Sequence, residues 1–167
     1  MIRKHKKFSR PRQLYDSVRI EEENKIVTKY GLKNKKEIWK AKSKLGTIRN
    51  RAKKIVNEDQ EQQERFLEKL RKEGFGVKSA VDVLALTEED ILKRRLQTVL
   101  VSKKLATAAK GARQMIVHKH VTINDKVVDV PSYMVSLDEE NKIKVLLKPI
   151  IQKKNKEVIK EVEEETE

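Results

Sequence analysis

Between Arg94 and His120 the chain gathers Arg94, Arg95, Lys103, Lys104, Lys110, Arg113, Gln114, His118, Lys119 and His120. These residue types are the ordinary donors to phosphate oxygens, through charged or multi-proton hydrogen bonds. Lys110, Arg113 and Gln114 fall on neighbouring faces of one helical segment, and His118 follows about one turn later, so their side chains can meet a phosphate backbone together. A competing chemistry is metal binding by His118, His120 and an acidic neighbour. Two histidines without any cysteine are better explained as a turn and phosphate donors, so no metal and no cofactor is expected. Catalysis finds little support: there is no glycine-rich phosphate loop, the glycines number five, and nothing favours a Ser-His-Asp arrangement.

The elements that position this platform are short. The stretch from Arg94 to Val135 reads as two helices followed by a β-hairpin. Thr107 is the expected N-cap of the second helix, whose buried face is Ala108, Ala112, Met115 and Ile116. Alternation of Val121, Ile123, Val128 and Val130 predicts two strands joined at Asn124-Asp125, both of which tolerate the positive φ of a type I′ turn. A second hairpin is expected from Val135 and Leu137 to Ile143, Val145 and Leu147 around a polar loop at 138–141, giving four or five strands in all.

Upstream, the spacing predicts helices. Val18, Ile20, Ile26 and Val27 sit among charges before Gly31, a residue suited to a left-handed helix end. Asn34 and Glu37 suggest a capping box. Ile38, Ala41, Leu45, Ile48, Ala52 and Ile55 then form one apolar stripe over about five turns, with Lys42, Arg49, Arg51, Lys53 and Lys54 around it. Trp39 reads first as a core anchor and second as a base-stacking platform. Phe66, Leu67 and Leu70 imply a helix stopping near Gly74, Val77 to Leu86 a second apolar cluster, and Thr87 with Asp90 another capping box. The expected class is α+β, with a mostly helical domain over 1–92, a small α+β domain over 93–148 and an acidic tail over 149–167, helical or disordered.

Charge narrows the partner. The 167 residues carry 40 Lys and Arg against 26 Asp and Glu, a net of +14. Residues 1–56 hold +14 and 93–148 hold +7, while 57–92 and 149–167 hold −5 and −2. Two basic blocks separated by an acidic spacer imply two surfaces for a polyanion. Nucleic acid fits better than an anionic membrane, because no segment pairs a continuous bulky apolar face with the positive charge. The arm adds Arg3, Lys4, Lys7, Arg10 and Arg12, and the start of the long helix adds Lys35 and Lys36 as candidate contacts. Absence of cysteine excludes disulfides and thiolate metal sites, and no apolar run suggests a signal peptide or membrane span, so the expected location is the cytoplasm.

At these residues the chain resembles a known family. Arg95-Leu96, Ala112-Arg113-Gln114, His118 to Val121 and Pro131-Ser132-Tyr133 are similar to the pattern of the S-four RNA-binding domain, which also occurs in pseudouridine synthases, tyrosyl-tRNA synthetases and heat-shock RNA-binding proteins. Tyr30 to Trp39 and Val83 to Thr98 look like the archaeal and eukaryotic type of the small-subunit ribosomal protein S-four family, and the resemblance covers residues 12 to about 148. It implies an αL-type RNA-binding part built on a helical domain. It further implies binding to small-subunit rRNA early in assembly, at a helix junction near the path by which messenger RNA enters, beside the small-subunit protein S-five and without a homo-oligomer. Positions commonly glycine in that family are Lys104, Lys119 and Asp125 here, and a usual long side chain is Gly111. The alternative is a non-ribosomal factor using the same domain, in subunit processing or heat-shock rescue; an enzyme would need a further catalytic domain.

Overall fold

The computed structural model describes residues 6–146. Arg3, Lys4, Leu147 and the tail 149–167 lie outside the described residues. Eight helices and three strands are present in this range, in the order α1 (Ser17–Tyr30), α2 (Lys36–Ile55), α3 (Gln60–Lys72), α4 (Ala80–Ala85), α5 (Glu88–Lys93), α6 (Leu96–Ser102), α7 (Ala109–Val117), β1 (Val121–Ile123), β2 (Lys126–Val127), α8 (Leu137–Glu140) and β3 (Ile143–Val145). The fold is α+β and mostly helical.

Apolar burial forms two clusters. The first contains Tyr30, Leu32, Ile38, Ala41, Leu45, Ala52, Leu70, Phe75, Val77, Val83, Ile91 and Leu92. The α2 stripe is its spine, since a period of three and four puts these side chains on one face. Val77 and Val83 join this same core rather than forming a second one, whereas Val81 and Leu84 face outward. Trp39 packs against it, donates Nε1–H to Glu23 at 2.9 Å and lies 6.2 Å from the Phe8 ring. It is an anchor between α1 and α2. The second cluster runs from Leu96 to Ile143, through Val99, Leu100, Ala112, Ile116, Val121 and Val135.

Helix ends repeat one device. At α1, α3, α6 and α7 a residue with positive φ closes the helix, and the next N–H reaches back five residues to a carbonyl: Leu32 to Val27, Phe75 to Leu70, Leu105 to Leu100 and His120 to Met115. Glycine fills the turning position twice, as Gly31 and Gly74, and lysine fills it twice, as Lys104 at φ 59° and Lys119 at φ 63°. The family glycines replaced in this chain therefore stand where the backbone is left-handed.

The β1–β2 turn has Asn124 at φ 51° and Asp125 at φ 62°, with Ile123 opposite Lys126. The two-residue turn is the expected one, but β2 ends at Val127, so Val128 and Val130 lie outside the strand and Val130 is exposed. The second hairpin does not form. Ser136 and Glu139 make a capping box that turns 137–140 into α8, and β3 pairs with β1 instead, giving a three-stranded sheet of order β2-β1-β3. Side-chain oxygens satisfying exposed helix-end donors outweighed the strand alternation there. Two other expected caps are also replaced. Glu37 accepts the Lys33 N–H but α2 begins after Lys35 without a side-chain cap, and α7 begins after Ala108 rather than Thr107, with Ala108 exposed. The Thr87 and Asp90 pair is present, with the Thr87 N–H donating to Asp90 at 2.9 Å.

Candidate nucleic-acid interface

The carboxyl-side platform is built on the two lysine-closed helices. Lys104, Lys110, Gln114, His118 and Lys119 are exposed, His120 is half-buried, and the His118 and His120 rings lie 6.3 Å apart. The sequence-predicted donors are thus brought to one region by α6, α7 and the turn into β1. Among the described residues no group of three His, Cys, Asp or Glu could hold a metal ion. Lys103 points elsewhere, its ammonium donating to the Glu140 carbonyl and to Asn141 Oδ1 at 3.1 Å.

Three arginines of the expected set are turned inward. Arg94 donates to the carbonyls of Glu73 and Val135 and to the Glu140 carboxylate, at 3.2, 2.8 and 2.9 Å. Arg95 is 5% exposed and its guanidinium lies 2.5 Å from Glu37. Arg113 shares the same carboxylate at 3.1 Å and reaches Gln97 at 3.5 Å. These groups hold the two clusters together, and only Arg113 keeps appreciable exposure, 24% of its side chain. Burial pushes the Glu37 carboxyl up, yet the hydrogen bonds and charges of Arg95 and Arg113 outweigh it and hold it below the usual carboxylate range. Beside this cluster, the fully buried Gln97 amide donates to the carbonyls of Tyr30, Gly31 and Ala109 at 3.1, 3.0 and 2.9 Å. A single side chain thereby satisfies backbone acceptors from the end of α1 and the start of α7.

On the helical side, Lys7, Arg10, Arg12, Lys36, Arg51, Lys53 and Lys54 are exposed. Lys35 contacts the Ile20 carbonyl and Glu23, at 3.4 and 3.7 Å, and Lys42 lies 3.7 Å from Glu88. Arg49 donates to the Leu86 carbonyl at 2.5 Å, so it clamps the loop after α4 rather than facing solvent. The acidic spacer packs onto the basic helices in the same manner, through Lys29 with Glu89 at 2.6 Å and Lys44 with Glu73 at 3.7 Å.

Five cations absent from the sequence-based set line an open groove between α2 and α3: Lys6, Lys40, Lys44, Arg65 and Lys69. A signal for the α2 pair, Lys40 and Lys44, existed. Lys36, Lys40, Lys44 and Arg51 recur along α2 at spacings that place them beside one another, along one flank of the apolar stripe.

Comparison with known proteins bears on these surfaces together. The family model for the S4 domain matches residues 94–141. The small ribosomal subunit protein uS4 of Thermoplasma acidophilum is 44% identical over 149 residues, covering 83% of this chain and 74% of the relative. The chain belongs to the uS4 family of small ribosomal subunit proteins. The uS4 of Nanoarchaeum equitans is likewise 44% identical, over 86% of this chain and 84% of its own, and that of Methanothermobacter thermautotrophicus is 41% identical over 83% and 84%. Likeness to uS4 therefore extends well beyond the S4 domain into the helical part, which carries the α2 and α3 cations.

Proposed function

We propose that this chain is a structural rRNA-binding component of the small ribosomal subunit, gripping RNA at backbone phosphates through the exposed face of Lys104, Lys110, Gln114, His118 and Lys119. Its role is structural rather than catalytic. The observation that carries the reading is the division of labour among the cations: Arg94, Arg95 and Arg113 are spent on internal carboxylates and carbonyls, which fixes the platform, while the exposed lysines and histidines keep donors for a polyanion. RNA folded into A-form helices presents shape and phosphates more readily than base edges, so recognition follows shape. Lys7, Arg10, Arg12, Lys36, Arg51, Lys53 and Lys54 supply a second surface on the helical side, in a division at residues 92 and 93 between a helical unit and an S4 unit.

The finer reading is that binding occurs early in assembly at an rRNA helix junction, near the path by which messenger RNA enters and beside the small-subunit protein S-five, in the cytoplasm and with one copy per subunit. Sequence likeness to archaeal uS4 proteins across 81–86% of the chain supports it. Sedimentation tests it: the protein should remain at about one copy per small subunit after a high-salt wash. Release into the free pool, or retention only on stalled large subunits, would overturn the assignment.

A further inference from the structure

The groove between α2 and α3 has a volume of 1350 Å³ and is open to solvent. Ten of its lining side chains are Lys or Arg and two are acidic, and both acids are engaged within the fold, Glu37 by Arg95 and Arg113 and Glu73 by Lys44. Lys40 on α2 and Lys69 on α3 are exposed and enter no ion pair among the described residues. The floor is apolar, made by Ala41, Ile48, Phe66, Leu70 and Met134. Such a surface is complementary to a segment with acid on its flanks and an apolar strip between them.

The chain itself holds a segment of that kind. Residues 157–167 contain six Glu against one Lys. Val158, Ile159 and Val162 recur at i, i+1 and i+4, a spacing that a helical turn brings to one side, with Glu161 and Glu165 on one flank and Glu163 on the other. Eleven residues, 147–157, connect it to Leu146, whose N–H donates to the His120 carbonyl at 2.7 Å. Eleven residues span up to about 36 Å, against a radius of gyration of about 14 Å for a fold of this size. The unit from which they leave also supplies Arg95, Arg113, Pro131 and Met134 to the groove.

We infer that the acidic segment 157–167 occupies this groove in the RNA-free protein, its glutamates against Lys40 and Lys69 and its three apolar side chains over the floor, and that it must leave before RNA enters. Tethering supplies an effective concentration on the order of millimolar, so weak contacts suffice. The docking stands independently of the RNA-binding reading above, while the competition rests on it. The platform of Lys104, Lys110 and Lys119 is also cationic, but it is built on helix ends and turns rather than a groove, and it is the comparison site in the test.

In the full chain free of RNA, a photoreactive residue replaces either Thr47 in the groove wall or Ala108 on the platform, both exposed, and adducts are mapped by peptide mass spectrometry. The Thr47 position should capture residues 157–167 of its own chain. The adduct should disappear in about 0.5 M salt, where screening confines charge interactions to about 4 Å. Glu161→Gln, Glu163→Gln, Glu164→Gln and Glu165→Gln combined should abolish it, and so should Val158→Ser with Val162→Ser, which keeps every charge. Adducts from Thr47 that lack this segment, or capture of the segment from Ala108 alone, overturn the docking. The four-glutamine variant should also bind a single-stranded homopolymer oligoribonucleotide about fivefold more tightly than wild type, the factor expected if four molecules in five hold the segment in place. Equal affinity of the two proteins overturns the competition. If neither binds that probe or in vitro transcribed small-subunit rRNA, the RNA reading fails while the adduct still decides the docking.

Discussion

Glu37, in the first turn of α2, lies 2.5 Å from Arg95 across 58 residues of sequence, and the same carboxylate receives Arg113 of α7 at 3.1 Å. One acid thus holds two guanidinium groups from the second core cluster against the helix that organises the first. Because Arg95 has only 7% of its side chain exposed, the pairing is a condition of its burial.

Removing that acid should be costly. Glu37→Ala leaves Arg95 charged, desolvated and unpaired, and is expected to destabilise the fold by about 3 kcal/mol. Glu37→Gln retains one acceptor and should cost less. Urea denaturation measures both; a midpoint equal to wild type would show that the cluster contributes no stability.

The same cluster sets a response to acid. Glu37 is held below the ordinary carboxylate range, as is Glu139, where burial raises the carboxyl but the Ser136 backbone and the Tyr133 hydroxyl outweigh it. A carboxylate whose folded value is depressed binds its proton later than in the unfolded chain, so its stabilisation is complete above the unfolded value of about 4.3. It is lost as pH falls through the folded value. Denaturation midpoints should hold from neutrality to about pH 5 and fall progressively below about pH 4. In Glu37→Gln that acid limb should be shallower.

Two glycines should respond in opposite directions to alanine. Gly31 has φ 58°, and a Cβ there would stand 2.8 Å from Ala109 Cβ and 3.0 Å from Lys110 N. Gly31→Ala combines a left-handed penalty with overpacking at the junction of α1 and α7, an expected cost of about 3 kcal/mol. Gly111 lies within α7 with nothing near its Cβ direction, and Gly111→Ala should stabilise by roughly 0.5 kcal/mol through helix propensity. Thermal midpoints moving the same way for both variants would contradict the geometry.

Lys104 and Lys119 set stability against binding. Each occupies a left-handed position that costs an ordinary side chain about 1 kcal/mol, and each is exposed. Lys104→Gly and Lys119→Gly should raise the unfolding midpoint modestly, while each lowers the salt slope of rRNA binding by about 0.9. Calorimetry and filter binding read the two effects separately. Unchanged RNA binding would assign both lysines to helix termination alone.

Much of the local structure was legible because its causes are local. The α2 stripe of Ile38, Ala41, Leu45, Ala52 and Ile55 is buried as its spacing requires, and Asn124-Asp125 turn as residues that tolerate positive φ do. The second hairpin was misread because Val135 and Leu137 alternate like a strand while Ser136 and Glu139 cap a helix. Both signals were present, and the capping box of Ser136 with Glu139 decided between them.

Sequence by itself determined the basic character, the helices other than α4 and α8, the left-handed turns at Gly31 and Asn124-Asp125 and the membership in the uS4 family. Tertiary structure decided which cations remain free. Arg94, Arg95, Arg113 and Arg49 look no different in sequence from Lys110 or Lys40, yet folding brings a carboxylate or carbonyl to each of these arginines and none of the described ion pairs to those lysines. Whether a charge is spent within the fold or kept for RNA depends on partners dozens of residues away, a distance over which periodicity and spacing carry no information.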